Sequence, residues 1–433
     1  MKAMMFIEAE TVLTNHRQLY DVVVIGGGAV GLTLSVALAQ AGLSTCLVRA
    51  HTQAQTGRTV ALLDGSVHFL DDLDLWPSLA HLAAPLKTMR LVDATGSLFR
   101  PPPVSFHAGE VGLGAFGFNI ENKDLEAGIS TAAHRTPNLS LLTGFATDFT
   151  FNADEVVVTV GGQAPIRARL VVGADGRHSR ARKAARIAVH TQEHPQVALT
   201  AIFAHEAPHD GISTEFHTRQ GPFTLVPLPG VLDQPYRSSL VWVMSPSEAE
   251  RRRALTPTAF AGEAERQSVR LLGSMTLISA IGAFPIVTSV STRFVANRLV
   301  LAGEAAHALP PIGAQGLNLS LRDVAALVSH LTLARSRQED IGSAAVLDRY
   351  ARTRYGDVTA RVAGVSILNG ALLSNTIGTD FLRAGGLTAL HAFGPLRRLA
   401  MRRGLVSQGR VTRRSKNPKL DATEEDRPSS TPL

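Results

Sequence analysis

The chain has 433 residues, a length that exceeds one ordinary core and suggests two or three domains. Apolar residues make up 45% and charged residues 18%, which excludes a wholly disordered chain. The single cysteine, Cys46, excludes an internal disulfide and a cysteine-based metal or iron–sulfur centre, and we predict no metal site. Because nothing in this composition requires an oxidising compartment, we expect a cytoplasmic protein.

The first 20 residues carry Glu8, Glu10, His16 and Arg17 and lack a long apolar run, so we expect no secretory signal. Two uncharged stretches, 271–292 and 362–379, are long enough to be checked as membrane spans. Pro285 and β-branched residues in the first favour a buried helix turn followed by a strand. Polar residues at mixed spacing in the second favour a helix that packs on the body or lies on a membrane surface. We therefore predict no transmembrane helix.

The first folded segment reads as a βαβ unit, with strands at 21–25 and 44–48 and a helix at 29–41. Between the first strand and the helix lies Gly26-x-Gly28-x-x-Gly31, which allows a tight turn, a close approach of a pyrophosphate and close helix packing. The free N–H groups of the helix add an anion site. The pattern predicts dinucleotide binding; the alternative is a tight turn without a ligand.

The second strand ends at Arg49, where this fingerprint usually has an acidic residue for the adenosine ribose. An arginine at this place is compatible with a 2′-phosphate, with stacking on the adenine, or with a side chain that points to solvent. The sequence leaves these three interpretations open.

The rest of the chain contains a predicted antiparallel sheet and further helices and strands. Short apolar runs between turn residues predict an antiparallel sheet over about 197–286. The other expected elements are helices at 62–75, 125–134, 316–335 and 343–403, and strands at 139–142, 155–160, 166–172 and 298–303. The segment after residue 404 is polar and basic, and we expect disorder there.

Two further motifs follow buried strands. Asp175 lies in a Gly-Ala-Asp-Gly turn, where it accepts hydrogen bonds either from a ribose or from the backbone of an ordinary turn. Glu304 ends the strand at 298–303, and a Pro/Gly loop then opens a long helix near Gln315. The free amides of that helix suit an anionic ring, although a purely structural loop would have the same glycines.

These three motifs, in this order, resemble the FAD-dependent aromatic monooxygenases of the p-hydroxybenzoate hydroxylase type. The run Pro-Ile-Gly-Ala-Gln-Gly-Leu-Asn-Leu-Ser-Leu-Arg-Asp at 311–323 is most similar to the ubiquinone-biosynthesis hydroxylases. Supporting segments lie at 58–62, 121–125, 221–228, 284–285 and 347–357. The likeness runs from about residue 20 to residue 404.

The resemblance implies an α/β fold in which a Rossmann-like FAD-binding domain is interleaved with an α+β substrate domain built on an antiparallel sheet. We expect the FAD-binding domain at 20–190, with some strands contributing to the substrate domain, and again at 291–340. The substrate domain is expected at 191–290, a helical region at 341–404 and a basic disordered tail at 405–433.

The resemblance also implies residue roles for non-covalent FAD. Gly26, Gly28 and Gly31 would hold the pyrophosphate, Arg58 and Asn122 would flank the phosphates and ribityl chain, and Asp175 would lie near the sugar-phosphate. Gly303 and Glu304 would meet the ribityl hydroxyls, and the loop with Pro311, Gly313, Gln315, Gly316 and Asn318 would face the flavin ring. Two departures are Arg49 and Glu304, since the family usually has Asp at the second position.

The implied activity is hydroxylation of the aromatic ring of a polyprenylated phenol in ubiquinone biosynthesis, by a flavin C4a-hydroperoxide formed with O₂. The electron donor would be NAD(P)H or a reductase. His307 is a weak candidate base, and a structural role suits it better. Three alternatives remain open: a soluble hydroxylase of a small aromatic acid, with Arg219 or Arg237 as anchor unless they are surface charges; a non-catalytic assembly subunit; and a plain NAD(P)-dependent dehydrogenase.

Between residues 381 and 420 there are ten Lys or Arg and no Asp or Glu, and apolar residues interleave with the first of them. This pattern predicts a helix that lies on an anionic membrane, so that the enzyme reaches its lipid substrate. The alternative is a helix packed on the body followed by a solvated tail. Other ubiquinone-biosynthesis proteins are possible partners, and we expect no nucleic-acid binding.

Overall fold

The structure is a computed structural model that describes residues 18–50, 57–96, 101–310, 313–373 and 377–404. Its strands are β1 Leu19–Ile25, β2 Thr45–Arg49, β3 Thr59–Leu63, β4 Ala83–Pro85, β5 Thr88–Asp93, β6 Val104–His107, β7 Gly117–Glu121, β8 Leu139–Thr143, β9 Ala146–Phe151, β10 Val156–Val160, β11 Ile166–Gly173, β12 Val189–His205, β13 Ile212–Thr218, β14 Gly221–Leu228, β15 Arg237–Met244, β16 Met275–Leu277, β17 Gly282–Ser291, β18 Val295–Ala296, β19 Leu299–Leu301 and β20 His307–Ala308. Its α-helices are α1 Ala29–Gln40, α2 Asp64–Asp72, α3 Asn122–Arg135, α4 Arg180–Ala184, α5 Pro246–Arg253, α6 Pro257–Gln267, α7 Gln315–Ser336, α8 Ala344–Leu373, α9 Ile377–Ala392 and α10 Gly394–Gly404.

The first sheet has the order β18-β19-β11-β1-β2-β8, with β9 and β10 added through β11. Strands β19, β11, β1, β2 and β8 are parallel. Val22, Val23 and Val24 in β1 are fully buried, as expected for a parallel sheet that is covered on both faces. Because parallel strands end at the same edge, the loops after β1, β11 and β19 meet there.

The second sheet has the order β20-β17-β12-β15-β14-β13-β5-β6, with β16 paired to β12. Side chains alternate between its two faces. One face carries Phe203, Phe223 and Trp242, which pack with Phe260 of α6 in a separate hydrophobic core. The opposite face, which we call the inner face, carries the alternate residues of the same strands.

A small sheet of order β3-β7-β4 packs against the second large sheet. Asn119 of β7 donates hydrogen bonds to the Pro227 carbonyl (2.9 Å) and to the Ser239 hydroxyl (3.2 Å). Thr59 of β3 donates to the same Ser239 hydroxyl at 2.9 Å. The small sheet therefore covers part of the inner face.

The C-terminal helices pack against both large sheets. Tyr350 of α8 is fully buried and donates a hydrogen bond to the Leu301 carbonyl of β19. Leu387 of α9 and Met401 of α10 pack with Phe106 of β6. Within the described part of the chain, none of the helices has the length and apolar character needed to cross a bilayer.

Several sequence predictions need correction. Residues 62–75 are not one helix: Leu62 and Leu63 end β3, and α2 begins at Asp64. The stretch at 271–292 forms a turn and then the two strands β16 and β17, instead of a helix turn and one strand. The predicted basic tail lies outside the described residues.

Candidate FAD site

The turn between β1 and α1 requires glycine at two positions. Gly26 has φ +123°, and a Cβ there would lie 2.2 Å from the Ala174 carbonyl oxygen. A Cβ on Gly31 would lie 1.8 Å from the Gly26 carbonyl oxygen. The first and third glycines of the fingerprint thus permit close contact of the loop with the β11 loop and of the helix with the strand.

Gly28 leaves the N-terminus of α1 open. A Cβ on this residue would meet only the Oε1 atom of Glu126, at 3.8 Å. The N-cap residue Gly28 has no side chain to cap α1, and the first turn of α1 has no acidic residue. The N–H groups of its first turn after Ala29 and its positive dipole end therefore suit a diphosphate.

Glu126, which was not among the predicted site residues, extends from α3 to this helix N-terminus. Its carboxylate accepts a hydrogen bond from the Ala29 N–H. Burial raises the pKa of Glu126, against the lowering effects of that N–H and of the Arg58 charge. No local motif marks this residue, because the contact exists only when α3 packs against α1.

Arg49 is half-buried and contacts α3. Its guanidinium donates a hydrogen bond to the Ser130 hydroxyl at 2.7 Å. Its stem crowds Gly27, where a Cβ would lie 2.4 Å from that of Arg49. Any contact between Arg49 and the adenosine half of a cofactor stays a prediction.

Two predicted cofactor residues have buried oxygens without a hydrogen-bond partner among the described residues: Asn122 Oδ1 and Asp175 Oδ1. The other carboxylate oxygen of Asp175 accepts from the Arg180 N–H at 2.6 Å and so caps α4. The backbone N–H of Asn122 donates to the Arg58 carbonyl at 3.0 Å. Buried acceptors are normally satisfied, so both oxygens fit a ligand with hydroxyl donors such as the sugar parts of FAD.

Arg58 links the nucleotide-binding edge to the second sheet. Its guanidinium lies over the Phe284 ring of β17, 4.4 Å from the ring centroid. It is also close enough to Glu126 to lower the pKa of that carboxyl. Arg58 therefore lies between the N-terminus of α1 and the inner face.

Glu304 follows β19 at the same edge as the glycine turn. Its side chain is 55% exposed, and its nearest cation is Arg177, at 3.8 Å. Gly303 before it adopts φ +63° and donates its N–H to the buried Asp323 carboxylate at 2.9 Å. The carboxylate of Glu304 is accessible to a ligand, and its contact with ribityl hydroxyls stays a prediction.

The N-terminus of α7 is the second open anion site. Gly313 and Ala314 both adopt left-handed backbone conformations, and α7 starts at Gln315 without a side-chain cap in the described chain. A Cβ on Gly316 would meet nothing within 4 Å. Gln315 is held by Arg361, which donates to its Oε1 at 2.8 Å. Pro311 lies outside the described residues.

The Asn318 side chain contacts the backbone. Its amide donates to the Ala61 carbonyl (2.8 Å) and the Ala314 carbonyl (2.6 Å), and its oxygen accepts from the Leu63 N–H (2.8 Å). Asn318 therefore positions β3 and the α7 loop relative to each other. Its contact with the cofactor stays a prediction.

A buried ionic network connects the loop after β19 to α7 and α8. Asp323 accepts hydrogen bonds from His307 Nε2 and Arg354 Nε, both at 2.7 Å. Arg354 also donates to Asp357 at 2.8 Å, which in turn accepts from Arg361 at 3.0 Å. Burial alone would raise the pKa of Asp323, but His307, Arg354 and the Gly303 N–H lower it overall. His307 thus has the structural role that the sequence favoured.

Comparison with known proteins agrees with this geometry. A family model described as an FAD binding domain matches residues 19–363. The ubiquinone hydroxylase UbiL of Rhodospirillum rubrum is 34% identical over 393 residues, covering 89% of each chain. The 3-demethoxyubiquinol 3-hydroxylase of Escherichia coli is 30% identical, covering 89% of this chain and 98% of its own.

Solved structures share the fold at lower identity. The p-nitrophenol 4-monooxygenase PnpA of Pseudomonas putida superimposes with a TM-score of 0.74 at 19% identity, covering 90% of this chain and 99% of its own. The FAD complex of Klebsiella pneumoniae HpxO superimposes with a TM-score of 0.71 at 17% identity, covering 89% and 98%.

Proposed function

This chain belongs to the FAD-binding family that includes the ubiquinone hydroxylases and is an FAD-dependent monooxygenase; we propose that it hydroxylates the aromatic ring of a polyprenylated phenol in ubiquinone biosynthesis. The observation that carries the proposal is the set of free groups along one sheet edge. They are the open N-termini of α1 and α7 and the buried acceptors of Asn122 and Asp175. The substrate class follows from the full-length similarity to two ubiquinone hydroxylases.

The protein would hold the cofactor at both ends. The N–H groups at the start of α1 bind the diphosphate, and Asn122, Asp175 and Glu304 accept hydrogen bonds from sugar hydroxyls. The N–H groups of Gln315 and Gly316 stabilise negative charge on the ring. Bound FAD supplies oxygen activation and transfer, and the chain supplies orientation and a site from which water is excluded.

The alternative of a small aromatic acid is less well supported. Arg237, expected as a surface charge or as an anchor for a carboxylate, is mostly buried and pairs with Glu121 at 3.2 Å. Arg219 donates to the Thr95 carbonyl at 2.8 Å. A substrate carboxylate would have to compete with these existing contacts. NAD(P)H or a separate reductase remains the proposed source of electrons.

We propose that this enzyme docks at a cytoplasmic membrane surface through a patch formed by α10 and the residue before it. The docking patch consists of Phe393, Leu396 and Leu399, which are 44–64% exposed, together with the exposed Arg398 and Arg402. Apolar side chains beside basic ones suit the headgroup region of an anionic bilayer. Other proteins of ubiquinone biosynthesis are the alternative occupant of this patch.

Arg397 does not belong to the docking patch. It donates to both carboxylate oxygens of Glu110, with a shortest distance of 2.7 Å. This pair attaches α10 to the body, so part of the packed-helix interpretation also holds. Arg397, one of the ten basic residues of the segment 381–420, therefore has a structural role.

The decisive test is the quinone precursor that accumulates in cells when this chain is removed. We expect a polyprenylated ring that lacks one hydroxyl, identified by mass spectrometry. The purified protein with FAD, an electron donor and O₂ should convert that precursor to a product one oxygen heavier. A normal quinone profile after removal of the chain would contradict the proposal.

A further inference from the structure

The inner face has a row of side chains that differs from its surroundings. The register pairs Glu215 of β13 with Thr224 of β14, Thr224 with Val241 of β15, and Val241 with Thr200 of β12. We call these four residues the polar strip. All four are half-buried, whereas Phe223 and Trp242 on the opposite face of the same strands are buried.

Two covered regions border the polar strip, one along its flank and one at its Glu215 end. The neighbouring row on the inner face contains Ser239, two residues before Val241 on β15. Thr59 and Asn119 cover this row. At the Glu215 end of the strip, Leu91 of β5 pairs with Glu215 in register and packs in the cluster formed with α9 and α10. The strip is therefore the open part of the inner face, between the FAD-binding domain and the C-terminal helices.

Glu215 is held in place on this strip. His217, two residues along β13, contacts its Oε1 through Nε2 at 2.7 Å, and Thr224 donates to its Oε2 at 3.5 Å. His217 is buried, and its Nδ1 has no partner among the described residues. The Thr200 hydroxyl at the far end of the strip likewise has none there. Unsatisfied polar atoms at both ends indicate a polar ligand between them.

The dimensions of the strip fit a substituted aromatic ring. Glu215 and Thr200 lie three strand spacings apart, which corresponds to about 14 Å. A phenol with ring substituents spans roughly half of this distance, and Val241 offers an apolar contact in the middle. The edge toward Leu91 and α9 leads to apolar residues, which suits a hydrocarbon tail.

We propose that Glu215 receives the phenolic O–H of the substrate and that His217 is the positioning residue that fixes the Glu215 carboxylate. This inference rests on the proposed function and assigns residues to substrate recognition. As the O–H bond breaks, the proton moves to the Glu215 carboxylate and forms a new O–H bond there. The electron pair stays on the phenol oxygen and enriches the ring for attack by an electrophilic oxygen.

A pair of probes that differ only in this hydroxyl tests the proposal. The FAD-loaded enzyme is titrated with 2-methoxyphenol and with 1,2-dimethoxybenzene, and binding is followed by the change in flavin absorbance. We expect the wild type to prefer the phenol. Glu215→Gln should weaken phenol binding about ten- to a hundredfold and leave binding of the ether nearly unchanged, because one charge-assisted hydrogen bond is lost.

Matched variants distinguish a loss of phenol recognition from a general loss of protein stability. Glu193→Gln changes an exposed glutamate on β12 and should leave the preference intact. If Glu215→Gln does not fold, the pair His217→Leu and His217→Gln decides the matter. The preference should fall in His217→Leu and return in part in His217→Gln, which keeps an N–H donor for the carboxylate.

The failures of the two proposals are distinguishable. Equal loss of phenol and ether binding in the Glu215 and His217 variants, or no loss of either, would overturn the role of the polar strip while the enzyme remains a flavoprotein hydroxylase. A wild-type protein that hydroxylates no phenol would instead contradict the proposed function.

Discussion

The carboxylate of Asp323, in the middle of α7, accepts a hydrogen bond from the backbone N–H of Gly303 at 2.9 Å. This bond connects the loop that presents Glu304 to α7, the helix whose N-terminus we expect to face the flavin ring. Through Arg354, Asp357 and Arg361 the same network continues to Gln315. Both ends of the proposed ring-binding site are therefore linked to one buried carboxylate.

We expect Asp323→Asn to destabilise the protein by about 3–5 kcal/mol, since Arg354 would remain buried without its counterion. The measurement is the urea dependence of unfolding in the FAD-loaded protein. Asp348→Asn is the matched control, because Asp348 is an exposed carboxylate on α8. Equal midpoints for the two variants would show that the network does not stabilise the fold.

Asp323 also affects how the free energy of unfolding changes at acid pH. The pKa of Asp323 is lowered on folding, so the folded state favours its charged form. Its contribution is fully present above the ordinary aspartate pKa and is lost as the pH falls through the lowered folded value, below about pH 4. Asp323→Asn should therefore flatten the fall in unfolding free energy below pH 4. An unchanged slope would mean that other carboxylates dominate acid unfolding.

Glu304→Ala should weaken FAD binding about tenfold, because it removes one charge-assisted hydrogen bond from a half-exposed position. Glu304→Asp should bind FAD nearly as well as the wild type. Fluorescence titration of the apoprotein with FAD gives both dissociation constants. Unchanged affinity in Glu304→Ala would place the ribityl chain elsewhere.

Glu126 predicts a pH dependence of FAD binding. Burial raises the pKa of this carboxyl, and the charged form lies where we expect the diphosphate. FAD affinity should rise as the pH falls through this raised pKa, and Glu126→Gln should bind FAD more tightly at pH 8 with a flatter profile. Burial also raises the pKa of Asp124 on the same helix, so Asp124→Asn is the control. A steep profile in Glu126→Gln would contradict the assignment.

The sequence predicts the parts of this site that depend on local backbone geometry. Gly26 and Gly31 are required by contacts within one βαβ unit, and their spacing alone indicates the turn. Glu126 could not be found in this way, since it reaches α1 only through helix packing. Arg237 looked like a surface charge because its partner, Glu121, is 116 residues away in the chain.

The inner face illustrates the same limit. Strand alternation places Glu215 and His217 on one side of β13, but it does not tell which side faces the FAD-binding domain. That answer comes from Phe216, which packs with Phe223 and Trp242 in the opposite core. Long-range packing therefore decides which alternate residues can reach a substrate.

The docking patch at α10 gives the last prediction. Arg398→Gln with Arg402→Gln should reduce binding to anionic vesicles about thirtyfold, since each basic residue near such a surface contributes about 1 kcal/mol. Co-sedimentation with vesicles of phosphatidylcholine and phosphatidylserine measures it, and binding should fall as salt is added. The control is Arg253→Gln with Arg266→Gln, a change of equal charge on exposed residues of α5 and α6.

Leu396→Ser with Leu399→Ser tests the apolar half of the same surface. Both side chains are 44–49% exposed, so this change should lower membrane binding without a large loss of stability.

Arg397→Gln should instead destabilise the fold, because it breaks the pair with Glu110 that attaches α10 to β6 and its following turn. Equal binding of the wild type to neutral and anionic vesicles would reject docking through this patch and would favour a protein partner on α10.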